Sequence, residues 1–495
     1  MNTFATSPLF RPVAWAAMGL CAALLAGCAP GARSLAQPDA AALPSQWPAD
    51  SPLGYGSAAL PDWSALVLDP SLTRLQQQAL AHNHDLRLAL LRVEEARAAH
   101  GIQRADRFPT LGVGSSHGRA RVPGDLNVSG RPVIGSDHEV FVGLSSWELD
   151  LWGRVRSLDQ AALQQFLATE AGARATRLSL LGQVARSYLA LREIDERLQL
   201  ARSTVETRAE TLRIFTRRYE VGSTSKYALT QVQSLHHQAL SLAVSLEQAR
   251  APIAHALAQM TGQDMAQLPP APRAARIFGE VPAGLPSTLL QARPDIVAAE
   301  HQLQAAHAQV AAARAAFFPR IALTGSWGTA SAQLDGLFES GSRAWSFAPS
   351  ISLPIFDGGR RSANLDLATA RQHSAVVAYE QRVQTAFREV ADALAARHSL
   401  AQQTQVQQDN LQALQERARL AQLRYDNGAS PYLDVLDAQR DLLTAAQQAV
   451  QVHYALQTAQ VSLYTALGGA PQAAADAAAA AIPSSTAPVT ANATH

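Results

Sequence analysis

The chain has 495 residues, of which 16% are charged, and its formal net charge is +1. This balance argues against a nucleic-acid-binding protein, because phosphate binding requires concentrated Lys and Arg. Both cysteines, Cys21 and Cys28, lie near the start of the chain, so neither a disulfide framework nor a cysteine metal site is expected downstream.

The first predicted element is a secretory signal peptide over residues 1–27. Its apolar stretch, Trp15 to Leu25, is too short to serve as a stable membrane anchor. The stretch ends in Leu25-Ala26-Gly27-Cys28, which resembles the bacterial lipobox. This resemblance implies that the thiol of Cys28 is diacylated and that Cys28 begins the mature chain. An ordinary signal peptide that contains a cysteine is the alternative.

Residues 28–62 follow as a lipidated tether and irregular lead-in, rich in Pro, Ala and Gly. The residue after the cysteine is Ala29 and not Asp, which by resemblance to sorted lipoproteins favours the outer membrane. Beyond Cys28 we find no apolar run of about 18 residues that could cross a bilayer as a helix. Any membrane crossing would therefore have to use strands.

A first structural unit is predicted over residues 63–265 and begins with a helix. Apolar residues recur every seven positions in its longest segment, which indicates a coiled-coil seam: Val184, Leu191, Leu198, Val205, Leu212 and Tyr219. The remaining elements are a β-hairpin over 110–147, a long helix over 153–219, a tip over 220–226 and a return helix over 227–262. At 1.5 Å per residue the long helix would measure about 100 Å. A soluble coiled coil would show the same pattern.

A second unit is predicted over residues 286–470, after a linker over 266–285. Its elements are a helix, a β-hairpin over 320–355, a long helix over 359–425, a tip over 426–430 and a return helix over 431–468. Residues 471–495, largely Ala, Pro, Thr and Ser, have little to bury and are predicted to form a disordered tail.

The two units are predicted to be internal repeats of each other. Arg218-Tyr219-Glu220-Val221-Gly222 recurs 206 residues later as Arg424-Tyr425-Asp426-Asn427-Gly428. The same offset joins Phe141 to Phe347 and Gly153-Arg154 to Gly359-Arg360. Constant spacing over such a distance favours a duplication of one helix–hairpin–helix unit.

The strands of the second hairpin alternate between large apolar and small residues. The alternating apolar positions are Ile321, Leu323 and Trp327, and then Trp345, Phe347, Ile351, Leu353 and Ile355. Strands of about ten residues with this pattern suit a tilted membrane crossing. Four such strands cannot close a barrel, and open sheet edges are not tolerated in hydrocarbon. Several identical chains must therefore pool their strands.

The sequence resembles the TolC-like outer-membrane factors, in the lipoprotein branch described as NodT-like or OprM-like. The resemblance covers about residues 60–470 and is carried by Leu289-Leu290-Gln291-Ala292-Arg293-Pro294-Asp295-Ile296, by Phe318-Pro319 and by Tyr432-Leu433-Asp434-Val435-Leu436-Asp437-Ala438-Gln439. It implies a mainly α fold with a small transmembrane β part: three chains give a twelve-stranded β-barrel, continued by a periplasmic α-helical coiled-coil barrel. It also implies a passive outer-membrane exit channel for multidrug efflux. The implied partners are outer-membrane lipid, a periplasmic adaptor (membrane fusion) protein and an inner-membrane resistance-nodulation-division pump.

The candidate functional residues lie at the two tips. Leu433 and Asp437 are four apart on one helix face, and we expect them to line a closed periplasmic gate, with Arg424 and Tyr425 as tie residues by the same resemblance. A solvated helix carboxylate is the alternative for Asp437. The residues expected to dock the adaptor are Gly222, Ser223, Thr224, Gly428, Ala429 and Ser430. Simple turn chemistry would also account for them.

Catalytic and metal signals are weak throughout. Gly114-Ser115-Ser116-His117-Gly118 matches a nucleophile-elbow pattern by letter, but it lies in a predicted strand and not between a strand and a helix. His236 and His237 are adjacent, so their side chains diverge on a helix. We therefore expect no enzyme, metal or cofactor. The remaining alternatives are an exit duct for type I protein secretion and a periplasmic coiled-coil scaffold without a pore.

Overall fold

The computed structural model describes residues 60–265, 268, 275–281 and 292–469. The predicted signal peptide, Cys28, most of the lead-in and the predicted tail lie outside these residues. The chain divides into two compact units. In its described part the first unit comprises Arg97–Gln165 and Gln302–Val377, and the second comprises the other described residues.

Helices dominate the described residues, and a single sheet interrupts them. The helices are α1 (Trp63–Leu66), α2 (Pro70–His82), α3 (His84–Ala105), α4 (Arg154–Glu220), α5 (Lys226–Thr261), α6 (Pro294–Ala315), α7 (Arg360–Asp426) and α8 (Tyr432–Ala466). The strands are β1 (Leu111–Val122), β2 (Val133–Glu148), β3 (Arg320–Ser331) and β4 (Arg343–Ser352). None of the helices in these residues is both long and apolar enough to cross a membrane.

The four strands form one antiparallel sheet in the order β1-β2-β3-β4. Directly paired residues share a face, and one face collects the large apolar side chains. Val113 pairs with Val142, Val142 pairs with Trp327, and Trp327 pairs with Trp345. The opposite face carries mostly small residues. The apolar face is exposed, since Trp327 and Trp345 are 67% and 76% accessible.

The strand ends differ from the predicted ones. β2 ends at Glu148, one residue beyond the predicted hairpin over 110–147, while β4 stops at Ser352, three residues before the predicted end of the second hairpin at 355. Leu353 and Ile355, which continue the alternation in sequence, therefore lie beyond the strand. The ladder ends there because the partner strand β3 begins at Arg320, directly after Pro319, so Leu353 faces a proline that cannot donate a ladder hydrogen bond.

A β-bulge in β2 shifts the alternation of its side chains, so that odd-numbered residues lie on opposite faces of the sheet on the two sides of the bulge. Leu144 pairs with Gly325 and Trp147 pairs with Leu323, so β2 contains one extra residue over this interval. Trp147 lies on the apolar face, but Phe141 on the far side of the bulge lies on the small-residue face, where it pairs with Gly114. Its sequence counterpart Phe347 lies on the apolar face. The 206-residue offset therefore joins two phenylalanines that point to opposite sides.

The second of the two units, which we call the helical unit, has an aromatic core around Trp63. Its indole lies 5.2 Å from the Phe278 ring and 5.1 Å from the Tyr464 ring, measured between ring centroids. Phe278 also pairs with Val67 in an isolated β-bridge, and its amide donates to Gln457 Oε1 at 3.1 Å. Residues 275–281, which the sequence suggested were part of a linker, are thus packed into this core.

The seam of α4 is buried at its first three residues and half-buried at the next two, Val205 and Leu212. Val184, Leu191 and Leu198 are between 0% and 5% accessible, as a coiled-coil stripe requires. The last seam residue, Tyr219, is instead exposed, and the Lys226 ammonium lies 5.2 Å from its ring centroid. The seam therefore ends before the tip.

Candidate functional site

Each long helix ends in the same type of glycine cap. Gly222 and Gly428 adopt φ values of +74° and +70°, a left-handed conformation that favours glycine. The amide of Ser223 donates to the Arg218 carbonyl at 2.8 Å, and the amide of Ala429 donates to the Arg424 carbonyl at 2.8 Å. This is the Schellman arrangement, which satisfies the last carbonyls of a helix. Local capping chemistry therefore builds both tips.

The two return helices begin differently. Ser225 is the N-cap of α5, and its Oγ accepts from the Ala228 amide at 3.1 Å. Ser430 does not cap α8 in the same way. The N-cap of α8 is Pro431, which has no capping side chain, and the buried Ser430 Oγ has no hydrogen-bond partner among the described residues. The 206-residue offset explains the difference, because it aligns Ser225 with Pro431 and not with Ser430.

A group of aromatic and polar side chains lies beside the tips, and we name it the tip cluster: Thr211, Phe215, Arg218, Tyr425 and Tyr432. Arg218 Nη1 donates to the Tyr425 hydroxyl at 2.6 Å and thereby joins α4 to α7. The Tyr432 ring lies 4.8 Å from each of the Phe215 and Tyr425 rings, between centroids. Burial raises the pKa of the Tyr432 phenol, so this side chain stays neutral.

Leu433 and Asp437 both lie on α8 next to this cluster. Leu433 is 38% exposed, and the Asp437 side chain is 43% exposed. The neighbouring Leu436 is buried against Phe215, so α8 presents one apolar face inward and leaves Leu433 uncovered. The structure thus brings Leu433, Asp437 and Tyr425 to the same end of the helical unit.

Sequence reasoning missed the arginines that accompany Asp437. Arg440 Nη2 lies 3.5 Å from Asp437 Oδ1, so the carboxylate has a cation one turn along its own helix. Arg417 Nη1 lies 2.7 Å from Asp441 Oδ2 and joins α7 to α8. Arg424, predicted as a tie, is exposed and forms no ion pair with another described residue. The observed tie between helices is made by Arg218, the 206-residue counterpart of Arg424.

The remaining predicted tip residues are accessible. Gly222, Ser223, Gly428 and Ala429 are exposed, whereas Thr224 and Ser430 are half-buried. No group of three or more His, Cys, Asp or Glu side chains in the described part of the chain could hold a metal ion. The tips therefore combine the exposed Leu433, the partly exposed carboxylate of Asp437 and a hydrogen bond between two helices, from Arg218 to Tyr425.

Comparisons with known proteins agree with this geometry. The toluene efflux pump outer membrane protein TtgI of Pseudomonas putida is 43% identical over 441 residues, covering 88% of this chain and 94% of that protein. Outer membrane protein OprJ of Pseudomonas aeruginosa is 43% identical over 411 residues, covering 82% of this chain and 86% of that protein. The open state of the MtrE outer membrane channel of Neisseria gonorrhoeae is a similar solved structure, with 37% identity and a TM-score of 0.75 over 86% of this chain and 97% of that one.

The sequence profile of the family described as outer membrane efflux protein matches residues 75–263 and 285–469. These two segments make up most of the chain, and they include both tips. The resemblance inferred from the sequence is thereby confirmed. The chain belongs to the outer membrane efflux protein family, and it is an efflux channel protein of the outer membrane and not an enzyme.

Proposed function

We propose that this protein is the passive exit channel of a tripartite multidrug efflux pump, lipid-anchored at Cys28 and gated at its periplasmic end. The observation that carries the proposal is the four-stranded sheet, whose face with Val113, Trp327, Trp345 and Phe347 is exposed. An exposed apolar face with several large side chains indicates an interaction surface. On a transmembrane strand such side chains contact lipid.

The same sheet argues for assembly. β1 and β4 are edge strands, so their outer amides and carbonyls have no partner strand in this sheet. Hydrocarbon does not tolerate such edges. A homotrimer in which β4 of one chain pairs with β1 of the next would give a closed twelve-stranded barrel, and the number three rests on the resemblance to TolC-like factors.

The tip supports a gate. In a trimer, three copies of the exposed Leu433 would form an apolar constriction, and three Asp437 carboxylates would form an acidic ring. The contact of Arg218 with Tyr425 would hold the α7–α8 pair in its closed position. Opening would then require this hydrogen bond to break.

The partners that we propose rest on the resemblance to TolC-like factors. The exposed tip residues, Gly222, Ser223, Gly428 and Ala429 with the half-buried Thr224 and Ser430, would meet a periplasmic adaptor protein. The adaptor would connect the channel to an inner-membrane resistance-nodulation-division pump, which supplies the energy and selects the cargo. TtgI is named for toluene efflux, so small apolar compounds are the cargo class we propose.

Single-channel recording in planar bilayers tests both the duct and the gate. We expect the purified protein to conduct ions rarely, and the Tyr425→Phe, Leu433→Ala and Asp437→Ala variants to open at least several-fold more often. Tyr219→Phe and Leu240→Ala are matched controls, because Tyr219 is exposed and Leu240 is as exposed as Leu433 but lies on α5.

A protein that never conducts, and that migrates on gels as a monomer with or without heating, would be a periplasmic scaffold and not a duct. Conductance with unchanged opening in all three tip variants would leave the duct in place and remove the gate assignment.

A further inference from the structure

The helical unit contains a cavity of about 590 Å³ that the gate does not use. It lies between α4 and α7 and is floored by α8. Its walls run from Glu196 and His453 at one end to Arg208 and Gln439 at the other. Residues 196 and 208 are twelve positions apart, so the cavity extends about 18 Å along α4.

Arg208 is an unusual wall residue. Its side chain is only 6% accessible, and its Nη1 donates to the Leu235 carbonyl at 2.7 Å. No carboxylate among the described residues lies within ion-pair distance of it. Burial and the nearby Arg440 both lower the pKa of its guanidinium, so a second cation adds to the cost of the buried charge. Buried charges are normally paired, because an isolated charge loses its hydration without compensation.

The rest of the cavity is mainly apolar. Leu200, Leu411, Leu442 and Leu443 line its middle, with Ala446 beside them. Threonine and glutamine side chains are interspersed along the walls. The cavity thus has a group of apolar side chains in its middle, polar side chains around them and one charged side chain at each end, Glu196 and Arg208, which suits a small amphiphilic molecule.

We propose that this cavity binds an amphiphilic anion, with its carboxylate, sulfonate or phosphate group on Arg208 and its apolar body along Leu200, Leu411 and Leu442. The anion supplies the counter-charge that the protein does not place beside Arg208. The apolar body covers the leucine side chains in the middle of the cavity. Glu196 at the opposite end disfavours the reversed orientation, because it would repel the anionic group.

Decanoate binding to the full-length trimer, transferred from detergent into an amphipathic polymer, tests the proposal. We expect saturable binding of one decanoate per chain by equilibrium dialysis. Decyltrimethylammonium, which has the same tail and the opposite charge, should bind at least about tenfold more weakly. Arg208→Gln should weaken decanoate binding by about tenfold or more, since a hydrogen bond to a charged group is lost.

Two further variants separate binding from folding. Ala446→Leu narrows the middle of the cavity beside Leu442 and Leu443 and should weaken the binding of decanoate while Arg208 remains. Arg202→Gln is the matched control, because Arg202 lies six residues away on α4, is exposed and pairs with Glu247. It should bind decanoate like the unaltered protein.

Absence of saturable decanoate binding would overturn the proposal. Equal affinity for both probes, or equal effects of Arg208→Gln and Arg202→Gln, would also overturn it. Conductance is a separate readout, so these outcomes leave the channel assignment untouched.

Discussion

Tyr188 illustrates how single polar groups organise the helical unit. Its ring is fully buried on α4, and its hydroxyl donates to Asp69 Oδ2 at 2.6 Å. Asp69 also caps α2, because its Oδ1 accepts from the Ser71 amide at 2.7 Å. Arg192 Nη2 donates to the same hydroxyl at 2.8 Å. One phenol therefore ties the start of α2 to α4.

This contact makes stability depend on pH at the alkaline end. Burial, with the hydrogen bond to Asp69, raises the pKa of Tyr188 to about 12 from its ordinary value of 10.0. Its contribution is fully present below pH 10 and is lost as the pH rises from about 10 to about 12. We expect Tyr188→Phe to lower the free energy of unfolding by about 1–3 kcal/mol near neutral pH, since Asp69 and Arg192 lose a partner. Urea unfolding between pH 7 and pH 11 measures both effects.

The exposed Tyr227 provides the control. Tyr227→Phe should leave the unfolding curve unchanged at every pH. Tyr188→Phe should show a smaller alkaline loss than the unaltered protein, with the remainder due to Tyr454, whose pKa burial also raises. An identical alkaline loss in Tyr188→Phe would contradict the assignment.

The predicted seam of α4 does not show what its neighbour Tyr188 binds. Tyr188 lies between the seam residues Val184 and Leu191, and it is buried. Its acceptor Asp69 is 119 residues away, and such a pairing follows from tertiary packing and not from local pattern. The same reason explains why Arg218 and Arg417 were missed at the tip.

At the scale of elements, Gly172 and Gly428 have similarly open surroundings but different backbone conformations. A Cβ on Gly172 within α4, or on Gly428 at the tip, would meet no atom within 4 Å. Gly428 has a φ of +70°, whereas Gly172 lies inside a regular helix. We expect Gly428→Ala to destabilise the tip by about 1 kcal/mol, and Gly172→Ala to stabilise its helix by up to about 1 kcal/mol.

Hydrogen exchange followed by mass spectrometry measures both changes locally. Tip peptides should exchange about fivefold faster in Gly428→Ala, and peptides around residue 172 should exchange more slowly in Gly172→Ala. Faster exchange in both variants would mean that the backbone conformation is not the deciding factor.

Helices were predicted from sequence more accurately than strands. The long helices were expected over 153–219 and 359–425, and α4 and α7 are Arg154–Glu220 and Arg360–Asp426. Glycine caps and a sustained period fix such ends locally. Strand ends depend on cross-strand partners, so β2 continues one residue beyond the predicted hairpin over 110–147 and β4 stops three residues before the predicted end at 355.

At the scale of the whole molecule, the predicted lipid can be tested with two single substitutions. Cys28→Ser should abolish incorporation of labelled palmitate, while the chain still fractionates with the outer membrane because the apolar sheet face remains. Cys21→Ser is the matched control, since Cys21 would be discarded with the signal peptide. Labelling that persists in Cys28→Ser, or is lost in Cys21→Ser, would contradict lipidation at Cys28.

Family membership could be predicted from sequence because several motifs coincide along most of the chain, and the comparisons confirm it. The proposed assembly of several copies was inferred from the strands, since hydrogen bonding in hydrocarbon leaves no open edge. The number of copies did not follow, because barrel closure depends on strand tilt and stagger, which a single sequence does not display.

The extra residue in β2 makes the two hairpins non-interchangeable. A hairpin transplanted from residues 320–355 into the position of 110–147 would place its phenylalanine on the apolar face, whereas Phe141 lies on the small-residue face and pairs with Gly114. Deleting one residue between Leu144 and Trp147 would remove the bulge and move the β2 residues on one side of it to the opposite face of the sheet. The two hairpins therefore cannot replace each other residue for residue without changing the face on which their side chains lie.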